Sequence, residues 1–151
     1  MEHLPITIHG SRCLVVGFGR IGKLLSLRLQ ALGAKVTVSA RSPADAALIR
    51  ALGMQSEVTG PFAKGLDGYD LIVNTVPAPV LGPGELERTR EDCLILDLAS
   101  KPGGVDRSAG KALGRQVIHA LSLPGRFAPA TAGYLIRDTI LDYLRARCLI
   151  R

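Results

Sequence analysis

Cys13-Leu14-Val15-Val16-Gly17-Phe18-Gly19-Arg20-Ile21-Gly22 is the stretch that decides the fold of this chain. Four apolar residues run without a break, as in a strand buried on both faces. They lead into a G-x-G-x-x-G turn. Behind it Ile21, Leu24, Leu25, Leu27, Leu29 and Leu32 recur at helical spacing, and Gly33 is a natural helix stop. A glycine fingerprint alone says little. Placed directly after a strand and opening a helix, it predicts a dinucleotide site. Gly17 permits the tight turn, Gly19 lets the backbone approach a pyrophosphate, and Gly22 lets the helix pack closely on the strand. The helix start offers free N–H groups and a positive dipole end to the phosphates. Phe18, Arg20 and Ile21, inside the turn, join the glycines as cofactor-binding candidates.

Outward from this unit, apolar runs alternate with helical patterns. Val36–Ser39 is the expected second strand. Pro43–Leu52 is a second helix, started by Ser42 with Pro43 at its first position and ended by Gly53. Gln55–Val58 is a short third strand and Phe62–Leu66 a short helix. Leu71–Asn74, Leu94–Leu98 and Gln116–Ala120 are strands four to six. Val105–Leu113 is helical and stops at Gly114. Thr131–Arg147 is a long amphipathic helix with Leu135, Ile136, Thr139, Ile140 and Tyr143 on one side, and Thr131 as its N-cap. Strands separated by helices imply right-handed crossovers and a parallel sheet covered on both faces. The expected class is α/β: a three-layer, doubly wound Rossmann sheet of about six strands in the order 3-2-1-4-5-6.

Composition excludes several function classes. In 151 residues, 47% are hydrophobic and 21% charged, which fits a folded domain and not a disordered chain. No apolar run reaches the ~18 residues of a membrane helix. Met1-Glu2-His3-Leu4-Pro5 has neither the cationic start nor the apolar stretch of a secretory signal, so a cytoplasmic protein is expected. Cys13, Cys93 and Cys148 are odd in number and form no C-x-x-C pair, which predicts reduced thiols, no disulfide framework and no metal site. The net charge of +6 comes from cations scattered along the chain, and Trp is absent, so no base-stacking platform for nucleic acid is visible. The surplus suits an anionic cofactor, an acidic substrate or an acidic partner subunit.

The end of the second strand bears on the choice of dinucleotide. NAD sites usually place an Asp or Glu there, bonded to the ribose 2′-hydroxyl. No carboxylate occurs from Thr37 to Pro43; the strand ends Ala40-Arg41-Ser42. Arg41 and Ser42 suit a 2′-phosphate, so NADP is the expected cofactor and NAD its competitor. Ligands of such sheets lie beyond the strands' carboxyl ends. Asn74-Thr75-Val76-Pro77 should therefore pass beside the cofactor, with Asn74 or Thr75 reaching ribose or nicotinamide, and Ala99 completes the cofactor-binding set. In the loop after the fifth strand, Ser100 and Lys101 suit an anionic substrate, while Asp97 serves equally well as a structural carboxylate bonded to backbone. His119 is expected to be packed or exposed, not catalytic. Arg126 precedes the last helix, whose start at Thr131, Ala132 and Gly133 suits a carboxylate.

One set of segments is more specific than the fingerprint. Ala40-Arg41-Ser42, Asn74-Thr75-Val76-Pro77, Asp97-Leu98-Ala99-Ser100-Lys101-Pro102-Gly103-Gly104 and Leu123-Pro124-Gly125, followed by Ala128-Pro129 and Thr131-Ala132-Gly133, together resemble the A subunit of dipicolinate synthase. The resemblance runs from about Ile6 to the last helix. It implies that residues 1–151 are one NAD(P)-binding domain, the C-terminal part of a two-domain oxidoreductase. That family oxidises a dihydropyridine dicarboxylate to dipicolinate with NAD(P), for the spore core, beside a flavoprotein-like second subunit. Carried over, the glycine loop and Arg41 hold cofactor, Asn74 and Thr75 line the nicotinamide side, and Ser100, Lys101, Gly125 and Thr131 face the substrate. The chain departs at Ala130, where the family usually has Lys, at Arg107, where an aromatic is usual, and at Ser122, where Gly is usual. A nicotinamide half-site needs a second wall to exclude water and orient substrate, which one sheet and its helices do not supply, so the isolated chain is not expected to turn over. A non-catalytic dinucleotide-binding or partner-docking module, and the cofactor domain of a D-2-hydroxyacid-type dehydrogenase, are the alternatives; a homo-oligomer is compatible with each.

Overall fold

Residues 13–16 alternate their side chains between two cores, which is what an apolar strand does when both of its faces are covered. In the computed structural model, which describes residues 6–60, 62 and 65–149, Arg12–Val16 is β1. Cys13 and Val15 enter one hydrophobic cluster; Leu14 and Val16 enter the other. The remaining strands are β2 (Lys35–Ala40), β3 (Gln55–Val58), β4 (Leu71–Asn74), β5 (Leu94–Asp97) and β6 (Gln116–His119). They form a six-stranded sheet in the order β3-β2-β1-β4-β5-β6. Every pairing is parallel. The expected doubly wound topology is therefore the one observed. The strand order reverses at β1, and the Val16, Ser39 and Asn74 register brings the ends of β1, β2 and β4 level.

Helix α1 (Arg20–Ala31) and helix α2 (Pro43–Ala51) cover the first cluster through Leu29 and Ile49. Helix α3 (Pro83–Glu87) and helix α4 (Arg107–Ala112) flank the second, where Leu86 is buried and Ala109 half-buried. The chain forms two compact units, Met1–His119 and Ala120–Arg151. The second holds α5 (Leu123–Phe127) and α6 (Pro129–Ala146).

Several local expectations need correction. Helix α3 was not expected: its Glu85 carboxylate accepts a 3.0 Å bond from the Gly82 N–H and caps a segment too short to show periodicity. Helix α5 was likewise not expected. The expected helix at Phe62–Leu66 falls partly outside the described residues, at positions 63 and 64; among the described residues Phe62 is buried and a 3-10 turn forms at Leu66–Gly68. Helix α4 starts at Arg107 because Asp106 caps it, its side chain accepting from the Ala109 N–H at 2.9 Å. Thr131 is not an N-cap: α6 begins two residues earlier at Pro129, whose fixed φ suits a first helical position. The apolar side expected to bury α1 is also displaced. Gly22, Ser26 and Leu29 are buried, while Ile21, Leu24 and Leu27 are exposed.

Candidate functional site

The turn from β1 into α1 is held by volume. Gly17 has φ +97, and a Cβ there would come within 2.7 Å of Thr75 Oγ1 and Val76 Cγ2. A Cβ on Gly22 would enter the Gly17 carbonyl. Both glycines are thus required by the protein's own packing. Gly19 is different. Its φ of −75 is open to any residue, and a Cβ there meets no atom within 4 Å. Neither packing nor backbone demands glycine at that position, which lines an open cleft.

That cleft, about 810 Å³, lies at the carboxyl edge of β1, β2 and β4. Gly17 to Ile21 form its floor, Ala40 to Ser42 one side, and Thr75 to Pro77 the other; Asp45 and Thr59 complete it. Helix α1 starts without a side-chain cap and without an acid in its first turn. The first bond of the helix runs from Lys23 N to Gly19 O, which leaves the earlier N–H groups facing the cleft end. The contrast with α2 is direct: Ser42 Oγ accepts from Asp45 N and so caps its own helix with one of its lone pairs. Its hydroxyl hydrogen remains free to donate. Arg20 and Arg41 are exposed and form no ion pair among the described residues. A second cleft, about 420 Å³, opens at the amino ends of β1 and β2 beside Arg12, Lys35 and Tyr69 and carries none of the motif residues.

Asp45 and Thr59 were not singled out in the sequence. Asp45 is placed as a helix-capping acid would be, three residues past Ser42, and its carboxylate lies 4.0 Å from Lys23 Nζ. Thr59 donates to Ser39 Oγ at 2.9 Å across the end of β2. Thr75 donates its hydroxyl to Val16 O at 2.9 Å, which fastens the turn after β4 to β1.

The other candidates fall outside this cleft. Asn74 is fully buried, and its amide is committed to Val76 and Asp97. Ala99 is buried too. Asp97, read from sequence as either functional or structural, accepts four hydrogen bonds and is 1% exposed. Ser100 and Lys101 are exposed on the following loop. His119 is half-buried; its Nε2 lies 2.9 Å from Ala99 O, and since a carbonyl only accepts, the ring donates there. In the second unit Gly125 and Arg126 belong to α5, with the Arg126 guanidinium 5.6 Å from the Phe127 ring centre, and Thr131 sits in the first turn of α6. Among the described residues no group of three or more His, Cys, Asp or Glu side chains is placed to hold a metal, and no helix is long and apolar enough to cross a membrane.

Residues 2–80 match the family model described as D-isomer specific 2-hydroxyacid dehydrogenase, NAD binding domain. The chain belongs to that family. Proteins that resemble it across nearly its whole length include dipicolinate synthases. The A subunit of the Bacillus subtilis (strain 168) enzyme is 37% identical over 144 residues, 95% of this chain and 48% of that protein. The crystal structure of the same polypeptide from Bacillus subtilis superposes with a TM-score of 0.92 at 36% identity, covering 96% of this chain and 49% of that one. The Bacillus halodurans counterpart gives 0.88 at 35% identity, covering 95% and 49%. The chain thus spans about half the length of these relatives. The resemblance drawn from the loop motifs is the one these comparisons find.

Proposed function

We propose that this domain binds NADP(H) in the β1–β2–β4 cleft and serves as the cofactor half of an oxidoreductase. The observation that carries the proposal is Gly19, a glycine on the cleft floor that neither packing nor backbone conformation requires. The uncapped start of α1 supports it. The family model is that of an NAD binding domain, which supports a nicotinamide dinucleotide. In this reading Gly17 to Gly22 hold the pyrophosphate, and Arg41 with the free Ser42 hydroxyl meets a 2′-phosphate. Thr75, Val76 and Pro77 wall the nicotinamide side, while Asn74 and Ala99 act from behind that wall.

The relatives' name supports a dicarboxylate substrate, dihydrodipicolinate, and a partner subunit. A bound nicotinamide ring would accept the hydride. Loss of that hydride and one proton makes the substrate an aromatic ring, so the protein's chief task is orientation. Ser100 and Lys101 are the proposed carboxylate contacts of the first unit; for Gly125, Arg126 and Thr131 of the second unit a substrate role rests on the family resemblance alone. The same reading extends to a cytoplasmic, sporulation-linked role, as the family resemblance implies. Turnover would then require the remainder of the relatives' length or the partner subunit to close the site to water.

Asp45 favours a second reading of the cofactor choice, because a carboxylate on that wall suits a ribose 2′-hydroxyl and hence NAD. Calorimetric titration of the wild-type chain with NAD(H) and NADP(H) tests both. Tighter NADP(H) binding supports the proposal, tighter NAD(H) binding supports the second reading, and no binding at millimolar ligand refutes the dinucleotide site.

A further inference from the structure

A buried charge is costly unless every lone pair is used. Asp97 meets that condition. Its Oδ1 accepts from Asn74 Nδ2 at 2.8 Å and from Ala99 N at 3.1 Å. Its Oδ2 accepts from Gly104 N at 2.9 Å and from Val105 N at 3.3 Å. Only a carboxylate can do this, because an amide in its place would turn an NH₂ toward one of the two donor pairs.

The bonds continue outward in both directions. Asn74, the register partner of Asp97 on β4, donates to Val76 O and accepts from Val76 N, each at 3.0 Å. Val76 lines the dinucleotide cleft. On the other side, Gly104 O accepts from Val80 N at 3.0 Å and Leu81 N at 3.1 Å. A Cβ on Gly104 would come within 2.7 Å of Ala78 O, so the two loops touch through backbone. His119, the partner of Asp97 on β6, holds Ala99 O from the third side.

We propose that Asp97 is a positioning residue: through Asn74 it sets the Thr75–Pro77 wall of the cleft, and through its backbone donors it ties that wall to the Ala99–Val105 loop. This rests on the dinucleotide reading above. The half of the cleft built by β1 and β2 touches none of these bonds. The residue thus acts first on the nicotinamide half, which meets β1 through Thr75 and the Gly17 turn, and couples it to the loop bearing Ser100 and Lys101.

The test separates the halves of the ligand. ADP reports on the adenosine and pyrophosphate half, and NADPH or NADH, whichever the wild type binds tighter, reports on both. Asp97→Asn keeps the shape and removes one acceptor; Asn74→Ala breaks the same link from the other strand. Each is titrated by calorimetry, with folding followed by circular dichroism. The expected result is ADP affinity within twofold of wild type and reduced-dinucleotide affinity lower by about tenfold, the scale of one lost hydrogen bond. Equal weakening of ADP and dinucleotide would overturn the proposal, as would unchanged dinucleotide binding or failure of both variants to fold. A wild type that binds neither ligand would instead refute the dinucleotide site itself.

Discussion

Gly19→Val separates what the ligand needs from what the fold needs. The backbone at Gly19 is extended (φ −75, ψ −166), and its Cβ would project where no protein atom lies within 4 Å. Valine there costs the free protein only the weaker N-cap preference, at most about 1 kcal/mol. The isopropyl group would occupy the approach to the N–H groups of Arg20, Ile21 and Gly22. A hydrogen bond from a backbone N–H to a charged phosphate contributes about 1.5–3 kcal/mol. Losing one or two of them weakens dinucleotide binding by about 3 kcal/mol, on the order of 100-fold. Gly22→Ala should behave in the opposite way. Its Cβ enters the Gly17 carbonyl, which is backbone and cannot rotate aside, so unfolding free energy should fall by about 3 kcal/mol, the upper end for overpacking. Calorimetric titration and urea denaturation of the two variants measure both quantities. Wild-type affinity in Gly19→Val would refute the ligand argument. A Gly19→Val variant as unstable as Gly22→Ala would show that position 19 serves packing.

Arg41→Ala should weaken NADP(H) by about 1.5–3 kcal/mol and NAD(H) much less, as for a hydrogen bond to a charged group; equal losses in calorimetry would remove Arg41 from the 2′-phosphate. Burial pushes the Cys93 thiol up to about 12 and raises Cys13. A raised folded value favours the neutral thiol in the native state, so that stability is present below the ordinary value of 9.0 and is lost as pH climbs toward 12. Denaturation midpoints should therefore hold steady through pH 8 and fall above pH 9, and a midpoint that rises there would refute the cause. At pH 8 a thiol reagent should modify the exposed Cys148 first and the buried Cys13 and Cys93 only on unfolding; three equally fast thiols would contradict the burial. Ser122 sits at φ 55 with no side-chain cap bond, so Ser122→Gly should stabilise by about 0.5–1 kcal/mol, read as slower amide exchange across Leu123–Phe127; faster exchange would refute the strain.

Much of the cofactor cleft was legible because its determinants are local. The spacing of Gly17, Gly19 and Gly22 and the residues after β2 and β4 occupy fixed places relative to strand ends. Asp45 was not legible as a cleft residue. By spacing it is a helix-capping acid, and only the level ends of β1 and β2 bring it to the wall beside Arg41. The burial of Asn74 was not legible for the same kind of reason. It stands at a strand end where ligands bind, but its register with Asp97 turns its amide inward.

The sequence by itself determined the topology. Short apolar runs alternating with helical segments allow only right-handed crossovers, and the glycine turn after β1 marks the point where the strand order reverses. The helix ends that carry their own punctuation, Ser42-Pro43 and Gly53 among them, were equally determined. Tertiary structure decided what depends on volumes and on residues distant in the chain. The apolar spacing of α1 predicts an amphipathic helix, yet the side that meets the sheet is the one with Gly22 and Ser26, because close packing selects small residues over large ones. It also decided that Asp97 is spent inward, on donors from β4 and from the next loop, since hydrogen-bond partners 23 residues apart become neighbours only when β4 and β5 pair.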